Sequence, residues 1–323
     1  MLPYTWVRTA NTFVHNRCIA AITDTPAVRT MNTGLMLFSM LRHSDVLMYL
    51  VAIKSVYPHL GPSLITVLDD GSLTEVDRRL LQAHLLGIRF IHIREVNTEP
   101  CPKGGTWERL LSVIDLTDNH YVIQVDADIV ALGPLDDVLD CIRDNRGFTL
   151  AGNPLAAVET VNETSARVRN LWGNPTSVQP AAESILDQMP DADGLRYIWG
   201  TSAFTGFPRG SGGREKACAF SGWMSGRLGP LWESWGSEQV TSNFLIANCP
   251  DPLVLPWPKY QCYEPPDYSV GTELNHFYGT YRFVGGAYRI HSRRAISILR
   301  DRSAGCGPVR GMRRRNAMRN GHQ

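Results

Sequence analysis

The chain has 323 residues with a formal net charge of +1, of which 43% are hydrophobic and 20% charged. A chain of that size buries a core without disulfide or metal staples, and its composition excludes a disordered polymer, a collagen-like fibre and a small disulfide scaffold. The charge is unevenly spread: residues 293–323 hold nine arginines against one acid, Asp301, for +8, which leaves −7 on the first 292 residues.

Residues 1–33 show no clear period. Leu35–Leu41 predicts a buried strand, after which Asp45 caps a helix through Val56, ended by Pro58 and Gly61. Residues 64–68 predict a second strand that runs into Asp69-Asp70-Gly71. Ser72 and Glu75 have capping-box spacing at the head of a helix to about Leu86, with Gly87 as its stop. A third strand is expected over 89–93. Thr106 then caps a helix with Leu110, Leu111 and Ile114 on one face, and Tyr121–Val125 is a fourth strand. Pro134 opens an amphipathic helix carrying Leu135, Val138, Leu139 and Ile142. Further on, 196–207 predicts a strand, the six glycines within 208–229 a mobile loop, 232–247 a helix-containing segment, and 250–266 extended, proline-rich chain.

Strand and helix alternating at this spacing argue for an α/β fold with a mostly parallel sheet covered on both faces. Ligands of such sheets bind outside the carboxyl ends of the strands. There is no internal repeat and no dividing linker. The expected organisation is an N-terminal segment (1–33), a single catalytic domain (34–292) and a basic tail (293–323), disordered at its end.

The longest uninterrupted apolar run, residues 46–53, is far short of the roughly 18 residues that cross a bilayer. Residues 18–22 are too short for the apolar part of a signal peptide. Seven cysteines (Cys18, Cys101, Cys141, Cys218, Cys249, Cys262 and Cys306) lie scattered without a C-x-x-C pair. That pattern speaks for a reducing compartment and against zinc or a disulfide framework. A cytoplasmic protein is therefore expected, in which the glycosylation-like triplet Asn162-Glu163-Thr164 carries no weight.

Two segments carry chemistry. Asp126-Ala127-Asp128 follows an apolar strand, and in extended chain both carboxylates face one way, as a hard cation requires. The bland alternative is a solvated turn. His276, Gly279 and Arg282 combine a metal-binding imidazole, a residue allowing close backbone approach and a fixed cation, a set suited to a metal-bound diphosphate. Alone, His276 reads as a hydrogen-bonded structural histidine. Gly210-Ser-Gly-Gly lacks the βαβ frame of a dinucleotide fingerprint, and neither a P-loop nor a G-x-S-x-G elbow is present. Asp69 and Asp70 read as turn caps.

Taken together, the D-x-D and the later H-x-x-G-x-x-cation resemble the GT-A nucleotide-sugar glycosyltransferases, most of all the retaining family 8 type that includes glycogenin and the bacterial lipopolysaccharide glycosyltransferases. The resemblance runs from about Leu35 to Phe283, with Arg282 standing where the family has Lys. It implies a GT-A fold, and Mn²⁺ (or Mg²⁺) held by Asp126, Asp128 and His276 against the diphosphate of a nucleotide sugar, with a UDP-sugar as the expected donor. It also implies that Gly279 and Arg282, with Arg109 or Lys103, bind phosphate, and that the pair Glu238-Gln239 lies near the sugar. Glu238 is the candidate catalytic group for stabilising or attacking the sugar carbon. The implied reaction is transfer to an acceptor hydroxyl on a glycan, lipid-linked or protein acceptor, with retention. An inverting GT-A enzyme, a nucleotidyltransferase and a non-catalytic nucleotide-sugar binding protein are the alternatives. For the tail, a solvated end is expected ahead of contact with an anionic membrane, and nucleic-acid binding is not expected.

Overall fold

The computed structural model describes residues 4–173, 175–265 and 271–304, without the side chains of 4–8 and 302–304. Four parallel strands form the heart of the molecule: β1 (Leu35–Leu41), β2 (Leu64–Asp69), β3 (Arg89–His92) and β4 (Tyr121–Val125). After β4 come β5 (Ile129–Ala131), β6 (Phe148–Ala151), β7 (Gly200–Phe207), β8 (Leu253–Val254), β9 (Tyr260–Cys262) and β10 (Leu274–His276). The main sheet has seven strands in the order β8-β6-β7-β4-β1-β2-β3, and β7 alone runs antiparallel to both its neighbours. A small sheet, β9-β10-β5, stands beside it. The fold class is the expected one, mixed α/β with a large, mostly parallel sheet flanked by helices.

The ten α-helices of the described residues are α1 (Tyr4–Ile19), α2 (Val46–Leu60), α3 (Glu75–His84), α4 (Trp107–Leu116), α5 (Asp136–Arg143), α6 (Val161–Trp172), α7 (Val178–Glu183), α8 (Gly213–Leu228), α9 (Ser237–Ala247) and α10 (Ala287–Ala304). Successive β1 side chains show why both faces are covered. Leu35, Leu37 and Leu41 enter one core with residues of α2 and α10, while Met36 and Phe38 enter a second core with residues of α4, α8 and α9. The period of two thus assigns each helix group to a face. Among the described residues no helix is long and apolar enough to cross a membrane.

Several expectations need correction. Residues 4–19 form α1, which packs on α2 and α10; its weak amphipathic pattern gave no period to read. The capping box of α3 is Thr74 with Asp77 rather than Ser72 with Glu75, because Ser72 is drawn into the preceding turn by Asp70 and by the N–H of His43. Asp45 precedes α2 but makes no side-chain cap, its carboxylate being taken by Arg42 at 2.8 Å. Pro58 lies within the last turn of α2, which closes at Gly61 with φ +80°. The stretch read as a glycine-rich loop is mostly α8: Ala217, Phe220 and Met224 bury one face, and that packing overrides the low helix propensity of Gly213, Gly222 and Gly226. Gly213 also sits close to its neighbour, where a Cβ would stand 3.1 Å from Ile114 Cγ2, a tight contact. The single strand read over 196–207 is two, Arg196–Ile198 in a separate two-stranded sheet and β7 in the main one. Helix α10 runs through position 293, so the first part of the basic segment is ordered helix. Residues 305–323, with Cys306 and Arg313 to Arg315, lie outside the described residues, as does Pro266. The six described cysteines are all free thiols.

Candidate active site

At the carboxyl ends of β1, β2 and β4 the chain opens a cavity of about 600 Å³, a volume typical of ligand pockets. Asp126 leaves β4 with its N–H bonded to Ala203 O of β7 at 2.8 Å, and the N–H of Ile129 closes back on Asp126 O at 3.3 Å. The D-x-D is therefore a turn between β4 and β5, not the extended chain expected. Strand β5 then pairs antiparallel with β10, placing His276 opposite Ile129. The Phe277 N–H donates to Asp128 O at 3.0 Å and locks that register. In this way the small sheet brings together two segments about 150 residues apart in sequence. One ligand atom each from Asp126, Asp128 and His276 lies within 4.8 Å of the other two.

The donor chemistry of this trio, two carboxylates and an imidazole, suits a divalent ion such as Mn²⁺ or Mg²⁺. Its electrostatics are strongly structured. Burial would raise the Asp128 carboxyl, but Arg282 and then His276 hold it well below the usual carboxylate range. Arg282 Nη2 donates to Asp128 Oδ2, and His276 Nε2 stands 3.4 Å from Asp128 Oδ1. Burial pushes the His276 imidazole down, yet Asp128 outweighs it and lifts the group to about 10. The recessed position of Asp126 pushes it up to about 6, with Arg109 pulling the other way and Asp128 adding to the rise. Unequal carboxylates two residues apart are what differing cationic neighbours impose.

A second knot forms where α4 and α9 meet. Trp107 Nε1 donates to Ser237 Oγ at 2.9 Å, joining the first turns of the two helices. Arg109, in the first turn of α4, donates to Asp126 Oδ1 at 2.7 Å, to Ser202 Oγ at 3.0 Å and to Glu238 Oε2 at 3.1 Å. Desolvation works against the guanidinium charge, and Glu238 and Asp126 more than offset it, so its pKa is raised. Glu238, in the first turn of α9, is 1% exposed and also accepts from Thr106 Oγ1 at 2.8 Å. Thr106 is at φ +77° and makes no side-chain cap; its hydroxyl serves Glu238 instead of the helix.

Of the residues singled out from the sequence, Asp126, Asp128, His276, Arg109, Glu238, Gln239, Gly279 and Arg282 all line this one cavity. Gly279 sits at φ +51° with nothing within 4 Å of where a Cβ would be, so its conformation rather than crowding asks for glycine. Gln239 donates to Gln179 at 3.2 Å. Lys103 is exposed and outside the cavity lining. Trp232, just before α9, is fully buried between Trp107 and Phe220, whereas Trp235 is 77% exposed at the cavity edge. Asp69 acts as a turn cap, accepting from Gly71 N at 2.8 Å, and pairs with Arg78. Asp70 also caps the turn, through Ser72 N, while lining the cavity. The sequence reading missed Ser202: an isolated serine in a strand carries no pattern, and only the Arg109 contact marks it.

Solved structures similar to this chain include glycosyltransferases. The bifunctional glycosyltransferase WbbM in its apo form matches with TM-score 0.49 and 11% identity over 85% of this chain and 53% of that one. An active-site mutant of LgtC matches with TM-score 0.48 and 12% identity over 80% of this chain and 95% of LgtC. The apo glycosyltransferase GlyE of Streptococcus pneumoniae TIGR4 matches with TM-score 0.46 and 12% identity, over 84% of this chain and 63% of GlyE. This chain thus spans about half the length of WbbM and under two thirds of GlyE. No protein-family model and no curated protein sequence matches it.

Proposed function

We propose that this chain is a metal-dependent glycosyltransferase of the GT-A type, moving a sugar from a nucleoside-diphosphate sugar, such as a UDP-sugar, to an acceptor hydroxyl with retention. The observation that carries the reading is the convergence of Asp126, Asp128 and His276 at the carboxyl ends of parallel strands, with the buried guanidinium of Arg109 and the partly buried one of Arg282 beside them. A phosphate alone is a poor fit to an acidic cleft, and a phosphate accompanied by a divalent cation is a good one. Bound by the three side chains, that cation supplies Lewis-acid neutralisation of the diphosphate.

The chain's own groups divide the remaining work. Arg282 and Arg109 are held in place by the carboxylates they pair with, so they present fixed positive charge toward a leaving diphosphate without reorganising. Gly279 lets the backbone of the 279–281 turn approach a phosphate oxygen. Glu238 is the anionic group on the other wall, oriented by Arg109 and Thr106 toward positive character developing on the sugar carbon. Trp235 adds an apolar surface at the cleft edge for a sugar ring. Residues 34–292 are the catalytic unit in this reading.

The test is incubation with UDP-sugars and Mn²⁺, followed by product analysis. Expected are release of a nucleoside diphosphate, a transferred or hydrolysed sugar in the donor's anomeric configuration, and loss of turnover in Asp128→Asn. An inverted product would assign the inverting mechanism. Pyrophosphate release would assign a nucleotidyltransferase, and binding of donors without turnover would assign a binding protein.

A further inference from the structure

A second cavity of about 730 Å³ opens at the opposite end of the sheet. Strand β7 runs antiparallel to β4, with Phe204 opposite Val125 and Phe207 opposite Val122. The segment after Phe207 therefore emerges at the amino ends of the parallel strands, away from the Asp126 cluster. The cavity walls are apolar and aromatic: Phe207 from β7, Phe220 and Trp223 from α8, Phe244 and Leu245 from α9, and Met189. Burial pushes the Cys249 thiol up to about 11, so it lines this space as a neutral group.

The mouth of the cavity is charged, and with one sign. Arg209 and Lys216 both line it and both are exposed. Neighbouring arginines are already paired, Arg214 with Asp115 at 2.6 Å and Arg146 with Asp251 at 2.7 Å. Among the described residues, by contrast, Arg209 and Lys216 form no ion pair. Between them lies the start of α8, whose N-cap Gly212 offers no side-chain cap, so the first-turn N–H groups add positive potential there. Glu215 in that turn is exposed and does not line the cavity. An apolar cavity with two exposed cations in its lining, neither in an ion pair, is complementary to an apolar chain ending in an anion.

We propose that this cavity binds a single-chain anionic amphiphile, its hydrocarbon tail among Phe207, Phe220, Trp223 and Phe244 and its headgroup between Arg209 and Lys216. The site is separate from the Asp126 cleft and does not depend on the function proposed for it. Three elements nevertheless join the two, each contributing to both cavities: α4 carries Arg109 and Ile114, α9 carries Glu238 and Leu245, and β7 carries Ser202 and Phe207.

The experiment is isothermal titration of the full chain with monomeric dodecyl phosphate, kept below its micelle concentration, with dodecyl maltoside and inorganic phosphate as separate arms. The expected result is saturable binding of one dodecyl phosphate per chain, at least tenfold tighter than dodecyl maltoside, and not displaced by inorganic phosphate or diphosphate. Arg209→Ala with Lys216→Ala, both exposed changes, weakens dodecyl phosphate at least tenfold and leaves dodecyl maltoside unaltered. Ala219→Trp, which fills the cavity from an exposed position on α8, abolishes binding of both; if that variant does not give a native circular dichroism spectrum, the charge variants decide alone. The proposal is overturned by equal affinity for the charged and uncharged amphiphiles, or by binding that survives the charge variants. It is equally overturned if the chain binds phosphatidylglycerol vesicles but not monomeric dodecyl phosphate, or binds no amphiphile.

Discussion

Removing Arg109 tests whether the cleft is held by the charge arrangement described. Arg109 is 7% exposed and bridges Asp126, at 2.7 Å, to Glu238, at 3.1 Å. In Arg109→Met the Glu238 carboxylate, with 2% side-chain exposure, keeps only the Thr106 hydroxyl as a side-chain donor. Breaking a buried pair from one side costs about 3–5 kcal/mol, chiefly because a charge is left uncompensated. Asp126 keeps 29% exposure and reaches water, so a cost of about 3 kcal/mol, the low end, is expected here. Replacing Glu238 by Gln in the same chain takes away the stranded charge, and Arg109→Met with Glu238→Gln recovers about 2 kcal/mol relative to Arg109→Met alone. Urea unfolding of the wild type, both single variants and the double variant measures this directly, provided the slope with urea is unchanged. A double variant as unstable as the sum of the two single changes would refute the idea that Arg109 acts by holding Glu238.

Two further outcomes follow from buried groups. Lys54 of α2 is fully buried, bonded to Thr25 O at 3.3 Å and near His84 Nδ1 at 3.2 Å, and burial lowers its pKa from 10.5 to about 8. Because the unfolded chain holds this proton up to higher pH than the native one, stability from this group rises as pH goes from about 8 to 10.5, by about 3 kcal/mol at roughly 1.36 kcal/mol per pH unit. The difference in stability between wild type and Lys54→Met, measured by urea unfolding at about pH 7 and again above pH 10, should shift by that amount toward the wild type; parallel curves would contradict it. Gly206 of β7 faces Phe148 and Tyr121, and a Cβ there would stand 2.6 Å from Tyr121 Oη, so Gly206→Ala should lower stability by about 2–3 kcal/mol through overpacking, read as a lower melting temperature.

The sheet was legible in the sequence because strands buried on both faces are continuous apolar runs. Leu35–Leu41 and Tyr121–Val125 were read to the residue. Helix α8 was not, since its glycines vote locally for a loop and what decides is the burial of Ala217, Phe220 and Met224 in a core shared with α4 and α9. The Asp126, Asp128 and His276 trio was readable as residue types, two aspartates two apart and a distant histidine. What brings them together is the antiparallel pairing of Ile129 with His276, which no local spacing encodes. Trp232 and Trp235 make the same point three residues apart, one in the core and one at the cleft, because the turn that separates them is set by packing. Lys103 was a plausible cation in sequence, and the fold leaves it outside the cavity.

If Asp126, Asp128 and His276 hold a divalent ion together with a nucleoside diphosphate, electron paramagnetic resonance of Mn²⁺ titrated into the protein with saturating UDP counts the bound ions directly. The expected result is one bound Mn²⁺ per chain in the wild type, and loss of that site in Asp128→Asn and in His276→Ala chains whose melting confirms a folded state. Absence of bound Mn²⁺ in the wild type, or undiminished binding in both variants, would contradict it.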